Sequence, residues 1–274
     1  MTAADLLAPL LVAPLLEPPL APVLLAYSLC VVFAAGIVRG FAGFGFSAIT
    51  VAGMSLVVSP ALVVPAIFML EILASLSQLR GIARDVDMPW LSWLILGNLL
   101  FIPLGVALLG WLPLTPLRLL IGALLMGAAL LLRGGAHVTL VPTRGVRLAA
   151  GLASGFINGV AAIGGIAIAV LLSTAKMAPA ALRATLIALL LFSDVVSLAS
   201  AALMPSSAHA SGTLLGPDTL KWAVWLAPAM LAGIWWGQRS FKGVSPEQFR
   251  KHVLNLLITL AAVSVVRALA SLLG

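Results

Sequence analysis

The stretch Gly36-Ile-Val-Arg-Gly-Phe-Ala-Gly-Phe-Gly-Phe-Ser47 decides how the chain is read. Four glycines and one arginine interrupt what is otherwise a continuous apolar run. In lipid every backbone polar group needs a partner, so helix-breaking glycine survives only inside protein or beside water. A segment of this kind is expected to line something. It has a counterpart, Gly155-Phe-Ile-Asn-Gly-Val-Ala-Ala-Ile-Gly-Gly165, lying 119 residues downstream (155 − 36). At that offset Gly36, Gly40, Ala42, Gly45 and Ala48 meet Gly155, Gly159, Ala161, Gly164 and Ala167. The register then holds without a gap to Pro60-Ala61 against Pro179-Ala180. Interrupted segments at matching positions of two halves point to a transporter binding site.

Composition supports a membrane setting. The chain is 62% hydrophobic and 8% charged, with a mean hydropathy of +1.21, which excludes a water-soluble domain. Runs of about 20 apolar residues, each long enough to cross a bilayer, recur from end to end. The net charge of +7 comes from basic residues in short loops, a mark of orientation and not of nucleic-acid binding. The single Cys30 excludes a disulfide framework and reads as a small buried hydrophobe.

Residues 1–22 form an apolar, proline-rich lead-in without the basic region and cleavage site of a signal peptide. Residues 23–132 form a first transmembrane repeat, 133–147 a cytoplasmic linker and 148–274 a second repeat. The expected fold is an all-α polytopic membrane protein of two inverted repeats. Each repeat is a glycine-broken helical hairpin plus three transmembrane helices. Charge chooses this parity. If each broken segment enters and leaves on one face, every lysine and arginine after Arg39 shares that face except Arg118, Lys221 and Arg267. A single crossing at each break would scatter them, against the positive-inside rule. Both termini are then extracytoplasmic, in a cell inner membrane. The tryptophans, Trp90 and Trp111 among them, fall near span ends where aromatic belts sit.

The Arg-Gly-Phe-Ala-Gly-Phe-Gly-Phe-Ser stretch before Pro60, its echo before Pro179 and the two halves of four-part hydropathy resemble the sulfite exporter TauE/SafE family. The resemblance runs over roughly residues 25–272. It implies a membrane transporter of small sulfur-containing or organic anions such as sulfite, sulfoacetate and other sulfonates. Arg39, Phe41, Phe44 and Phe46 stand where many members carry a denser glycine run, which leaves the anion itself open.

The residues support an anion independently. Helix ends exposed at mid-depth present N–H groups and a dipole that attract negative charge. Gly43, Gly45, Gly164 and Gly165 would let a ligand approach the backbone; close helix packing is the rival role for any one of them. Arg39, costly within an apolar segment, faces either a cavity or partner or else snorkels from a hairpin tip. Its planar fork suits a sulfonate or carboxylate. Its counterpart at the same offset is Asn158, while Ser47 and Ser154 flank the breaks. Glu71 and Asp194, acids inside spans, are candidates for proton or cation coupling, or for a helix–helix hydrogen bond or a salt bridge to Arg39. Gln78 and Asn98 read as interhelical contacts. No metal or cofactor is expected, since His137, His209 and His252 sit in or beside loops.

The expected partners are a small anionic substrate and membrane lipid, with a homodimer permitted by small-residue faces and no nucleic acid. The leading reading is a secondary exporter; an uncoupled, channel-like anion permease is the alternative. An intramembrane enzyme is disfavoured by the absence of a His-Glu-x-x-His pattern.

Overall fold

The computed structural model describes residues 21–79, 82–133, 143–174, 177–205 and 213–240, together with residues 18, 255, 258–263, 265 and 266. Most of the lead-in, residues 134–142 of the linker, the three histidines and much of the last expected span lie outside them. In chain order the helices are α1 (Pro22–Ala42), α2 (Phe46–Met54), α3 (Pro60–Leu79), α4 (Met88–Trp111), α5 (Leu114–Arg133), α6 (Arg144–Ala161), α7 (Gly164–Thr174), α8 (Pro179–Leu203) and α9 (Pro217–Ser240). Among the described residues the only β pairing is the isolated bridge Pro205–Thr213.

Local chemistry sets the helix starts. Pro22 and Pro179 open α1 and α8, where a missing N–H costs nothing. Asp87 caps α4 by accepting from the Trp90 N–H at 3.0 Å, and Thr143 caps α6 by accepting from Val146 at 3.3 Å. Five helices, α1, α3, α4, α8 and the first 18 residues of α5, are long and apolar enough to cross a membrane. The protein is an all-α polytopic membrane protein.

The two halves interlock. α9 packs along α1 and α4 along α6, so each half lends a helix to the other's glycine-rich one. Between these pairs α3 packs on α8, with α9 on α3 and α4 on α8. Exchanging the halves maps α1–α9 onto α6–α4 and α3–α9 onto α8–α4, and leaves α3–α8 as itself. The pairing follows from glycine. A Cβ at Gly36 would lie 2.6 Å from the Met230 carbonyl oxygen, and one at Gly155 would lie 2.7 Å from Asn98 Cα. Only backbones without side chains approach this closely. These contacts also set the register of the lending helices. A Cβ at Gly105 would strike the Phe156 carbonyl and one at Gly237 the Ile37 carbonyl. Phe156 and Ile37 stand 119 residues apart (156 − 37), so Gly237 is the counterpart of Gly105.

Asn98 joins three helices, as an interhelical contact should. Its Nδ2 donates to Leu94 O at 2.9 Å in α4 and to Gly151 O at 3.1 Å in α6, and its Oδ1 accepts from Ser193 Oγ of α8 at 2.8 Å. Cys30 differs from expectation. It lies exposed on α1, because the buried side of that helix is the one carrying Gly36 and Gly40.

Candidate anion site at the two helix breaks

α1 ends at Gly43, whose φ of 82° is left-handed and whose N–H donates to Arg39 O at 2.8 Å. A second left-handed residue, Gly45 at φ 93°, turns the chain into α2. α2 then runs back along α1, so that Tyr27 Oη donates to Gly53 O at 3.0 Å. The second break repeats this form. α6 ends at Ala162, with φ 58° and an N–H donated to Asn158 O at 2.7 Å. Ala162 stands opposite Gly43 at the 119-residue offset (162 − 43). A left-handed alanine costs on the order of 1 kcal/mol, a strain that the surrounding packing must hold.

The last turn of each broken helix carries a buried polar side chain that reaches the neighbouring long helix. At the first break Arg39, 0% exposed, forms an ion pair with Glu71, 1% exposed, with Nη1 3.0 Å from Oε2. Its Nη2 donates to Ser75 Oγ at 2.8 Å. Glu71 Oε1 accepts from the backbone N–H of Ser47, near the start of α2, at 3.2 Å. At the second break Asn158 Nδ2 donates to Asp194 Oδ1 at 3.0 Å and to Ser197 Oγ at 3.3 Å. Asn158 Oδ1 accepts from the Gly164 N–H, at the start of α7, at 3.2 Å. Arg39–Ser75 and Asn158–Asp194 are the same contact in the two halves, each 36 residues apart in sequence. The chemistry differs because the acid sits one turn later in the second half.

Every expected site residue except Gly165 lies in one of these two clusters. Gly43 and Gly45 shape the first break, and Ser47 contributes its peptide N–H. Gly164 spends its N–H on Asn158 and its carbonyl on Ser154 Oγ at 3.3 Å. Gly165 makes room for Leu190, whose Cδ2 would lie 2.8 Å from an added Cβ. The two clusters are joined through α3 and α8, the packed helices that carry Glu71 and Asp194.

A model of the sulfite exporter TauE/SafE family matches residues 28–264, which hold both breaks and both polar clusters. The chain belongs to that family. No curated protein and no solved structure matches it. In this TauE/SafE chain three further residues join the site beyond those first singled out. Ser75 lies one turn after Glu71, and Ser197 lies three residues after Asp194; i, i+3 and i, i+4 spacing from an intramembrane acid was the signal for both. The third, Arg183 of α8, is half-buried and donates to Gly40 O at 3.3 Å. Its Cγ would lie 3.0 Å from a Cβ at Gly43. That a loop-proximal arginine would lie under the first break was not visible in the spacing. Gln78, expected as an interhelical contact, is buried with neither amide atom hydrogen-bonded among the described residues.

Proposed function

We propose that this TauE/SafE protein is a secondary carrier that exports a small sulfur-containing or organic oxyanion of the sulfite or sulfonate class. On this reading the anion is held between the two helix breaks by Arg39, with Asn158 facing it from the other half. Glu71 and Asp194 couple its passage to protons. The observation that carries the proposal is the fully buried Arg39 beside a break opened by two left-handed glycines. An intramembrane arginine held at such a break belongs to a substrate pathway by default. The matching cluster around Asn158 supports a site shared by both halves. The outward direction rests on the negative cell interior, which drives anions out. We also read the halves as inverted in an inner membrane, with both termini extracytoplasmic and each break entering from one face.

Thermal unfolding of the purified protein across sulfite, sulfate, thiosulfate, sulfoacetate, taurine, simple carboxylates and chloride tests the site. A ligand that binds only the folded state raises stability with concentration. Stabilisation by an oxyanion, lost in Arg39→Ala, is the expected result. Equal stabilisation in Arg39→Ala moves the site elsewhere, and flux in liposomes that ignores an imposed pH gradient turns the carrier into an uncoupled permease.

A further inference from the structure

We propose that Glu71 is a built-in competitor of the transported anion: its carboxylate fills the anion's place and leaves when it takes up a proton. The inference rests on the reading of the first break as the anion site.

The contacts of Glu71 are those an oxyanion substrate would make. One oxygen lies 3.0 Å from Arg39 Nη1 and the other accepts the Ser47 N–H of α2 at 3.2 Å. A guanidinium and a peptide N–H at a helix start are two donors suited to oxyanions. Here both converge on one side chain, almost fully buried, that belongs to the protein itself. A sulfonate or carboxylate presents the same pair of oxygens on one centre. It cannot simply join Glu71 there. One buried cation would face two anions, and an uncompensated buried charge is strongly penalised.

Proton uptake removes the conflict. A proton from water on the Glu71 carboxylate neutralises it and breaks the ion pair. The incoming anion then takes over the Arg39 guanidinium, and anion and proton are bound together. Arg39 faces Glu71 from α1, and α8, packed on α3, carries Asp194. Arg183 of α8 sits by Gly40 and Gly43. α2 and α4 carry no titratable side chain. Asp218, Lys221 and Arg239 of α9 lie near its ends, as do Arg118 and Arg133 of α5.

The test is calorimetric binding of methanesulfonate, sulfoacetate and acetate to the full-length protein in detergent, between about pH 6 and about pH 8. These probes keep a constant charge over that range, so any change belongs to the protein. Wild-type affinity is expected to rise towards tenfold per unit fall in pH, the slope of one linked proton. Repeating the titration in buffers of different ionisation enthalpy should report uptake of about one proton per anion. Glu71→Gln should bind at least about tenfold tighter than wild type at the upper pH, with neither slope nor uptake. Wild-type binding without proton uptake overturns the inference, whether or not Glu71→Gln folds. So does weaker binding in Glu71→Gln. If Arg39→Ala abolishes binding in any of those cases, the anion-site reading stands while the competitor role falls. No binding of any probe by wild type or Glu71→Gln overturns both.

Discussion

Replacing Arg39 by methionine removes the cation from a pair whose side chains are 0% and 1% exposed, leaving Glu71 buried without its counter-ion. Breaking a buried pair from one side costs about 3–5 kcal/mol. The two single variants should not cost the same. Glu71 alone can take a proton and still accept from the Ser47 N–H, so Arg39→Met falls towards the lower end of that range, about 3 kcal/mol. Arg39 alone cannot lose its charge and keeps only Ser75, so Glu71→Leu falls towards the upper end, about 5 kcal/mol. The double variant Arg39→Met/Glu71→Leu replaces the pair with apolar groups and strands nothing; such replacements are often neutral or stabilising. Using the shift typical of domains of 150–250 residues, the singles lower the unfolding midpoint by roughly 6–20 °C and the double variant by far less. Midpoints of all four proteins in one detergent at one concentration measure this. A double variant as unstable as the two singles combined would show no coupling between the residues and would refute the buried-pair reasoning.

Other expectations follow from single contacts. Gly40→Ala places a Cβ against the Ile234 backbone, which cannot rotate away, and should destabilise by about 1–3 kcal/mol. Gly127→Ala meets nothing within 4 Å and should be neutral or stabilise by up to about 1 kcal/mol; unfolding midpoints that fail to separate the two would contradict the α1–α9 contact. Asn98→Leu severs bonds to α6 and α8 and should cost about 1–3 kcal/mol, read as a lowered midpoint with anion affinity retained. Asp194→Asn keeps an acceptor for Asn158, so folding should survive while proton-driven flux in liposomes falls; full gradient-driven flux would remove Asp194 from the coupling role.

Much of this protein was legible in its residues. Hydropathy marked the spans because lipid admits few ways to bury a backbone. The first break fell within its glycine stretch because glycine most readily adopts the left-handed turns at Gly43 and Gly45, whereas the second turns on the strained Ala162. The 119-residue offset already set Arg39 opposite Asn158 (158 − 39) and Ser75 opposite Asp194 (194 − 75), and those pairs proved to be equivalent contacts. Spacing along one chain says nothing, however, about which helix lies beside which. Only the tertiary structure decided that α9 covers the glycines of α1 and α4 those of α6, so that Gly36 and Gly40 serve packing while Gly43 and Gly45 shape the break. It alone turned Glu71 towards Arg39 and the Ser47 N–H and set Arg183 beneath Gly43. The physical reason is that a buried charge is settled by its partners in space, and those partners came from separate helices that only the fold sets side by side.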